Sequence, residues 1–286
     1  MPAVCMDGRP LAAKIKEQVR ARVEALAIKP GLAVVLVGED PASRVYVDGR
    51  RKDCQQCGIF SQEYILPEQI TQQELLELIA VLNGQRDIHG ILVQFPLPEH
   101  LDARAVQLAI HPDKDVDCVN PVNMGALVLG ERSLPPCTPA GVMRLLEEYQ
   151  IQTAGKECVV VGRSNIVGKP QAIMMLLQDA TVTVCHTKTA DLAAQCRRAD
   201  ILILAAGETG LVTGDMVKPG AVVVDVAVNR DAAGALCGDA VYNQVVQRAS
   251  YITPVPGGVG PVTRAMLMQH TLNAAIRQQG KDIHNN

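Results

Sequence analysis

The chain has 286 residues, 48% hydrophobic and 20% charged, with a formal net charge of -3, and this is the composition of a globular enzyme rather than of a basic nucleic-acid binder or a disordered chain. No apolar run approaches the roughly 18 residues of a membrane span and the start lacks the apolar core of a signal peptide, so a cytoplasmic protein with no membrane partner is expected. Only seven aromatic residues, five Tyr and two Phe with no Trp, leave no stacking platforms for bases and demand an aliphatic core.

In chain order, the helical pattern 11–27 is followed by an apolar run at 32–37. Helix-like stretches at 43–57 and 72–83 then lead to a second apolar run at 90–93. A loop-rich segment, 111–139, carries Pro112, Pro121, Pro135, Pro136 and Pro139 and marks a boundary. Beyond it come a helix at 139–149 and strands at 158–161, 181–184, 201–205 and 221–226, with helices at 168–177 and 190–198 and a closing helix at 262–277. Strands that alternate with helices and read as continuous aliphatic runs predict an α/β fold of two domains with parallel sheets. The expected division is 1–138, rejoined by 262–286, and 139–261.

The nine cysteines are scattered and odd in number, which is no disulfide framework. Cys54-Gln-Gln-Cys57 has neither a second such pair nor a nearby His, so structural thiols are expected and no metal site.

One segment reads as a phosphate site. The strand ending at Val161 runs into Gly162-Arg-Ser-Asn-Ile-Val-Gly168 and then a helix, an arrangement that points free backbone N–H groups and the helix dipole at an anion. Ser164 and Val167 stand where a G-x-G-x-x-G fingerprint has glycine, so spacing alone is a weak signal. An NAD site wants an acid at the end of the next strand to hold the ribose hydroxyl. Here that strand ends Val184-Cys-His-Thr-Lys188 without one, and Arg163, with Thr187 and Lys188, offers charge to a 2'-phosphate instead. The cofactor expected is NADP; taken alone, Arg163 is an ordinary surface side chain.

Six blocks carry a family likeness: Val37-Gly-Glu-Asp-Pro-Ala-Ser43 with Tyr46-Val47, Gly90-Ile-Leu-Val-Gln-Phe-Pro-Leu-Pro98, His111-Pro-Asp-Lys-Asp-Val-Asp117, Pro136-Cys-Thr-Pro139, Gly162-Arg-Ser-Asn-Ile-Val-Gly-Lys-Pro170 and Thr253-Pro-Val-Pro-Gly-Gly-Val-Gly-Pro261. In this order they resemble the FolD family of bifunctional methylenetetrahydrofolate dehydrogenase/cyclohydrolases. The resemblance implies a folate-binding N-terminal domain and a Rossmann-type NADP domain with a cleft between them. It also implies a last helix that returns to the first domain, tetrahydrofolate derivatives as ligands, and a homodimer formed through the NADP domains. By position it makes Tyr46 a wall of the folate site, Gln94 and Asp117 the holders of the reacting end, and Ser43, Pro256, Gly257 and Gly258 pocket residues. Gly162, Arg163, Ser164 and Thr187 would meet the cofactor phosphates, with Val228 near the cofactor. Singly, Tyr46 reads as core, Gln94 as a strand-end cap and Asp117 as a loop residue.

The chain departs from the family pattern at three places. The family's Tyr-Val-x-x-Lys-x-Lys is Tyr46-Val-Asp-Gly-Arg-Arg-Lys52, so Arg50 holds the position of the catalytic Lys. Arginine is not deprotonated in proteins and cannot serve as a general base. Lys52 lies about 200° around the helix from it and does not replace it. Cys118 stands for the Gly after Asp-Val-Asp, and Ala227 for the Gly of Asp-x-Gly-x-Asn; each either fills space beside a ligand or opposes a positive φ. The expectation is a dehydrogenase with weak or absent cyclohydrolase activity. The alternatives are a paralogue that binds folate and NADP without turnover, and an enzyme of another substrate, against which the retained Tyr46, Gln94 and Asp117 speak.

Overall fold

The computed structural model describes residues 2–38, 41–131 and 134–280, with the backbone but not the side chains of 41–48. In chain order the elements are β1 (Val4–Cys5), α1 (Gly8–Glu24), β2 (Gly31–Val37), α2 (Pro41–Cys57), β3 (Phe60–Leu66), α3 (Gln72–Gly84), β4 (Gly90–Val93), α4 (Ala103–Ala109) and α5 (Pro121–Val128). There follow α6 (Cys137–Glu148), β5 (Glu157–Val161), α7 (Gly168–Leu176), β6 (Thr181–Cys185), α8 (Leu192–Arg198), β7 (Ile201–Leu204) and β8 (Val222–Asp225). A short antiparallel pair, β9 (Asn229–Arg230) and β10 (Leu236–Cys237), precedes α9 (Tyr242–Val245), β11 (Tyr251–Ile252) and α10 (Val259–Gln278).

The chain divides into two compact units, one of Met1–Ala12, Leu127–Glu131 and Thr138–Thr263, the other of Ala13–Ala126, Arg132–Cys137 and Arg264–Asn286. The first unit is built on a six-stranded sheet in the order β1-β11-β8-β7-β5-β6, every neighbouring pair parallel. The chain leaves β5 for β6 on one side and then crosses to β7 on the other. This reversal of strand order beside β5 is the switch point at which doubly wound sheets bind ligands, outside the carboxyl ends of their strands. The second unit has a parallel sheet in the order β3-β2-β4.

Burial follows the strand sequences. Every residue of β2, β4, β7 and β8 is buried, as aliphatic strands covered on both faces must be. The edge strand β3, Phe60-Ser-Gln-Glu-Tyr-Ile-Leu66, is half-exposed, and its polar residues hid it from an apolar-run reading. Among the described residues no aromatic side chain is fully buried; both cores consist of Val, Ile, Leu, Ala, Met and Cys. All nine cysteines are free. Among the described residues no group of His, Cys, Asp and Glu could hold a metal ion, and no helix is long and apolar enough to cross a membrane.

The Pro-rich stretch 111–139 is less irregular than its composition suggests. Pro121 occupies the first turn of α5, where its missing N–H costs nothing and its fixed φ favours the helix. Lys114 is buried there, and its ammonium donates to the Leu82 and Gln85 carbonyl oxygens at the C-terminal end of α3, at 2.9 and 2.6 Å. Carbonyls at a helix end are short of backbone partners, and a cation there also meets the negative end of the helix dipole.

Candidate active site

In the three-stranded unit, the carboxyl end of β4 organises the site. Gln94 follows β4 directly; its backbone N–H donates to the Val35 carbonyl and its side-chain amide to the Phe95 carbonyl at 3.0 Å. A parallel bridge pairs Ile91 with Asp115, so the segment Asp115–Asp117 runs alongside β4 and brings Asp117 level with its carboxyl end. Asp115 is buried and takes the N–H groups of Val119 and Asn120 and the Asn123 amide at 2.9–3.0 Å. Those bonds close a tight loop around Cys118, leaving the Asp117 carboxylate to accept the Cys137 N–H, 2.9 Å away at the start of α6.

Helix α2 brings Arg50 to the same place. The buried residues of its described part are Asp53, Cys54 and Cys57, with Arg51, Lys52, Gln55 and Gln56 exposed. Arg50 lies three, four and seven residues before the buried set, on the same stripe, and is itself half-buried. Lys52 faces away from it, as the helical arithmetic required. The Arg50 charge acts on both Asp117 and Cys137. Burial pushes the Asp117 carboxyl above its usual range, and the Cys137 N–H, the Cys137 thiol and the Arg50 guanidinium pull it back. The Cys137 thiol is pushed far up by burial and by the Asp117 charge. Arg50, Asp117 and Cys137 thus form one electrostatic cluster. Ser43 and Tyr46 are on α2, but their side chains lie outside the described residues.

Cys118 resolves the choice posed by its sequence position. It is buried, with φ at +55°, a left-handed conformation that glycine adopts freely and a side chain resists. Replacing it with Ala removes the thiol and keeps the strain, whereas Gly removes both. Cys118→Gly is therefore expected to be more stable than Cys118→Ala by about 1 kcal/mol in urea unfolding, the reverse of their order in a helix.

In the six-stranded unit the residues singled out from sequence fall at the carboxyl ends of β5, β6 and β8. Gly162 follows β5 with φ at +127°, and a Cβ there would overlap the Ala205 carbonyl; a Cβ on Gly168 would overlap the Gly162 carbonyl. Both glycines are required for the strand to turn directly into α7. The Ser164 hydroxyl accepts the N–H groups of Val167 and Gly168, at 3.2 and 3.3 Å, and so holds the turn that leads into α7. Arg163 is exposed beside it. After β6, His186 and Thr189 close a turn, with the Lys188 N–H donating to His186 Nδ1 and the His186 N–H to the Thr189 hydroxyl. This turn leaves Thr187 and Lys188 exposed and contains no acid. Val228, after β8, is 48% exposed, while Ala227 beside it is buried. Pro256, Gly257 and Gly258 belong to this unit, where the Gly257 carbonyl accepts the Gly8 N–H at the start of α1.

Two buried acids that sequence reasoning passed over hold these loops. Asp239 accepts the N–H groups of Ala206, Gly207 and Glu208 and the Asn229 amide. Asp225 accepts those of Asp239 and Ala240, and burial with the neighbouring Asp239 charge raises its pKa to about 6. Apart from the Asn229 amide, their partners are backbone donors in loops, which leave little side-chain pattern to find.

The tetrahydrofolate dehydrogenase/cyclohydrolase family matches in two parts, its catalytic domain over residues 6–117 and its NAD(P)-binding domain over residues 136–279. The chain belongs to the FolD family. It is 53% identical over 283 residues to the bifunctional protein FolD of Ruminiclostridium cellulolyticum, covering 98% of this chain and all of that one. The crystal structure of the bifunctional FolD enzyme of Campylobacter jejuni superposes with a TM-score of 0.94 at 48% identity, over 96% of this chain and 99% of that one. The FolD of Trypanosoma brucei, solved with NADP and an inhibitor, gives 0.94 at 40% identity over 98% and 99%. The FolD match confirms the two-domain α/β fold with parallel sheets that the alternating pattern predicted, and the catalytic and NAD(P)-binding domains that the resemblance implied.

Proposed function

We propose that this FolD-family chain oxidises 5,10-methylenetetrahydrofolate with NADP and hydrolyses the resulting methenyl compound weakly or not at all. The observation that carries the reading is Arg50, a permanent cation on the buried stripe of α2 whose charge acts on Asp117. Asp117 and Gln94 hold the reacting end of the folate, and Ser43 and Tyr46 bound its ring. The dinucleotide is held by Gly162, Arg163, Ser164 and Thr187 at its phosphates, with Val228 near it.

The fit to a dinucleotide rests on glycines that no Cβ could replace at Gly162 and Gly168, and on exposed Arg163, Thr187 and Lys188 in turns without an acid. NADP, when bound, supplies the hydride acceptor. Loss of hydride from the methylene bridge leaves a cation delocalised over two nitrogens, so the protein needs no base for this step and contributes orientation. Asp117, when ionised, favours that developing positive charge, and Arg50 donates hydrogen bonds and tempers the Asp117 charge. Hydrolysis is different, because attacking water must lose a proton, and a guanidinium has no lone pair to accept one. The chain is also proposed to pair with itself through its NAD(P)-binding part.

The test is a paired spectrophotometric assay on one preparation: NADP-dependent oxidation is expected to be measurable while methenyltetrahydrofolate decays near the buffer rate. Rapid enzymatic decay that is abolished by altering Arg50 would overturn the reading. Cofactor choice is tested separately. Arg163→Ala is expected to raise KM for NADP by roughly 10-fold or more, the loss of one charge-assisted contact, with little change toward NAD.

A further inference from the structure

Asp53 is a carboxylate position in an unusual setting. Its side chain is 3% exposed, and both its oxygens are taken by cations from other helices, Lys16 of α1 at 2.9 Å and Arg264 of α10 at 2.7 Å. Lys16 also donates to Gln56, and the Cys54 and Met268 sulfurs meet at 3.6 Å, so α1, α2 and α10 are pinned around this carboxylate. Arg264 reaches further along α2, its Nη2 3.5 Å from the Gly49 carbonyl oxygen. It comes that close because Gly49 has no side chain; a Cβ there would lie 2.8 Å from Nη1.

Asp53 is three residues after Arg50 on the same buried stripe, the spacing at which an acid and a base on one helix pair with each other. A buried carboxylate oxygen that loses its donor takes another donor within reach, since a buried acceptor left unmet is costly even where Lys16 still holds the other oxygen. We infer that Arg264 is a positioning residue: by occupying the Asp53 carboxylate it keeps Arg50 from being captured one helical turn along, and so keeps the Arg50 charge acting on Asp117 and Cys137. Gly49 admits the guanidinium, and Lys16 holds the other oxygen of the Asp53 carboxylate. The groups around Asp117 that bear on the outcome are Arg50 from α2, the Cys137 N–H and thiol from α6, and Asp115 and the Cys118 thiol from its own loop; around Asp53 they are Lys16, Arg264 and the buried thiols of Cys54 and Cys57.

The experiment is a carboxyl carbon-13 titration of Asp117 in the full-length protein labelled at aspartate, with the signal assigned by its loss in Asp117→Asn. Because the Arg50 charge lowers the Asp117 midpoint, Arg264→Met is expected to raise it by about half a pH unit or more, toward the value in Arg50→Met. The double variant Asp53→Asn/Arg264→Met, which has no carboxylate to capture Arg50, is expected to return the midpoint to wild type, and Arg264→Lys to hold it there. A double variant as displaced as Arg264→Met, or no displacement in Arg264→Met, overturns the inference, because a merely structural brace is worsened and not rescued by losing both members. Should Arg264→Met fail to fold, Asp53→Asn alone decides: an unchanged Asp117 midpoint agrees with a removed competitor, and a rise to that of Arg50→Met refutes it. The titration needs no turnover, so it stands apart from the dehydrogenase reading under which Arg50 and Asp117 acquire their roles.

Discussion

Arg50→Lys is expected to raise the hydrolysis of methenyltetrahydrofolate by roughly 100-fold, the low end of what a positioned general base contributes. A guanidinium at this position donates hydrogen bonds but accepts no proton, whereas a lysine there is on the buried stripe of α2, where desolvation lowers its pKa. The Asp117 charge works in the opposite direction, favouring the ammonium, so the gained activity is expected to rise with pH as the amine loses its proton. The dehydrogenase step, which needs no base, should change far less. Decay rates of the methenyl compound from pH 6.5 to 9, for wild type and variant, check the prediction. A flat profile with no gain would mean that more than the base is missing. Cys118→Gly in the Arg50→Lys background is then the next variant, because Cys118 adjoins Asp117 and holds its loop in the left-handed conformation.

Much of the fold is written in local pattern. The runs that become β2, β7 and β8 are aliphatic throughout because both faces of each strand are covered, and they stand out without any alignment. β3 does not, since an edge strand with Ser61, Gln62 and Glu63 satisfies its environment with polar residues. β1 and β11 are two residues long and carry no period at all. At the site, helical arithmetic separated Arg50 from Lys52, and the glycine argument posed the right alternatives for Cys118. What stayed hidden was long-range or backbone-directed. Asp53 and Arg264 meet across most of the chain, and Lys114, Asp115 and Asp239 bond mainly to main-chain atoms whose positions only the folded loops determine.

His270, on α10, is a buried imidazole in the three-stranded unit. It is 2% exposed, with Nδ1 3.1 Å from the Val116 carbonyl oxygen and 3.4 Å from the Cys137 sulfur, and burial lowers its pKa to about 4, assisted by the Arg277 charge and opposed by the Val116 carbonyl. The folded-state pKa is thus below that of the unfolded chain, near 6.5, so the unfolded state binds the proton first as pH falls. The stability tied to the neutral imidazole is complete above pH 6.5 and is lost toward pH 4. Relative to His270→Asn, which keeps a donor for Val116 and does not titrate, wild type is expected to lose about 2 kcal/mol by pH 5 and about 3 kcal/mol by pH 4. At neutral pH the order is reversed, because the smaller side chain leaves part of the ring's volume empty. Asp225, in the six-stranded unit, has the opposite sign. Its pKa of about 6 is above the usual carboxylate value, so its contribution is complete at low pH and is lost as pH rises through 6. Acid therefore removes the His270 contribution from one unit while restoring the Asp225 contribution to the other. Comparing wild type with His270→Asn cancels the acids common to both, including Asp115 and Asp117. Hydrogen exchange of the α10 and β5 amides at pH 4.5 and 7, in both proteins, is expected to show the His270 effect in α10 and not in β5.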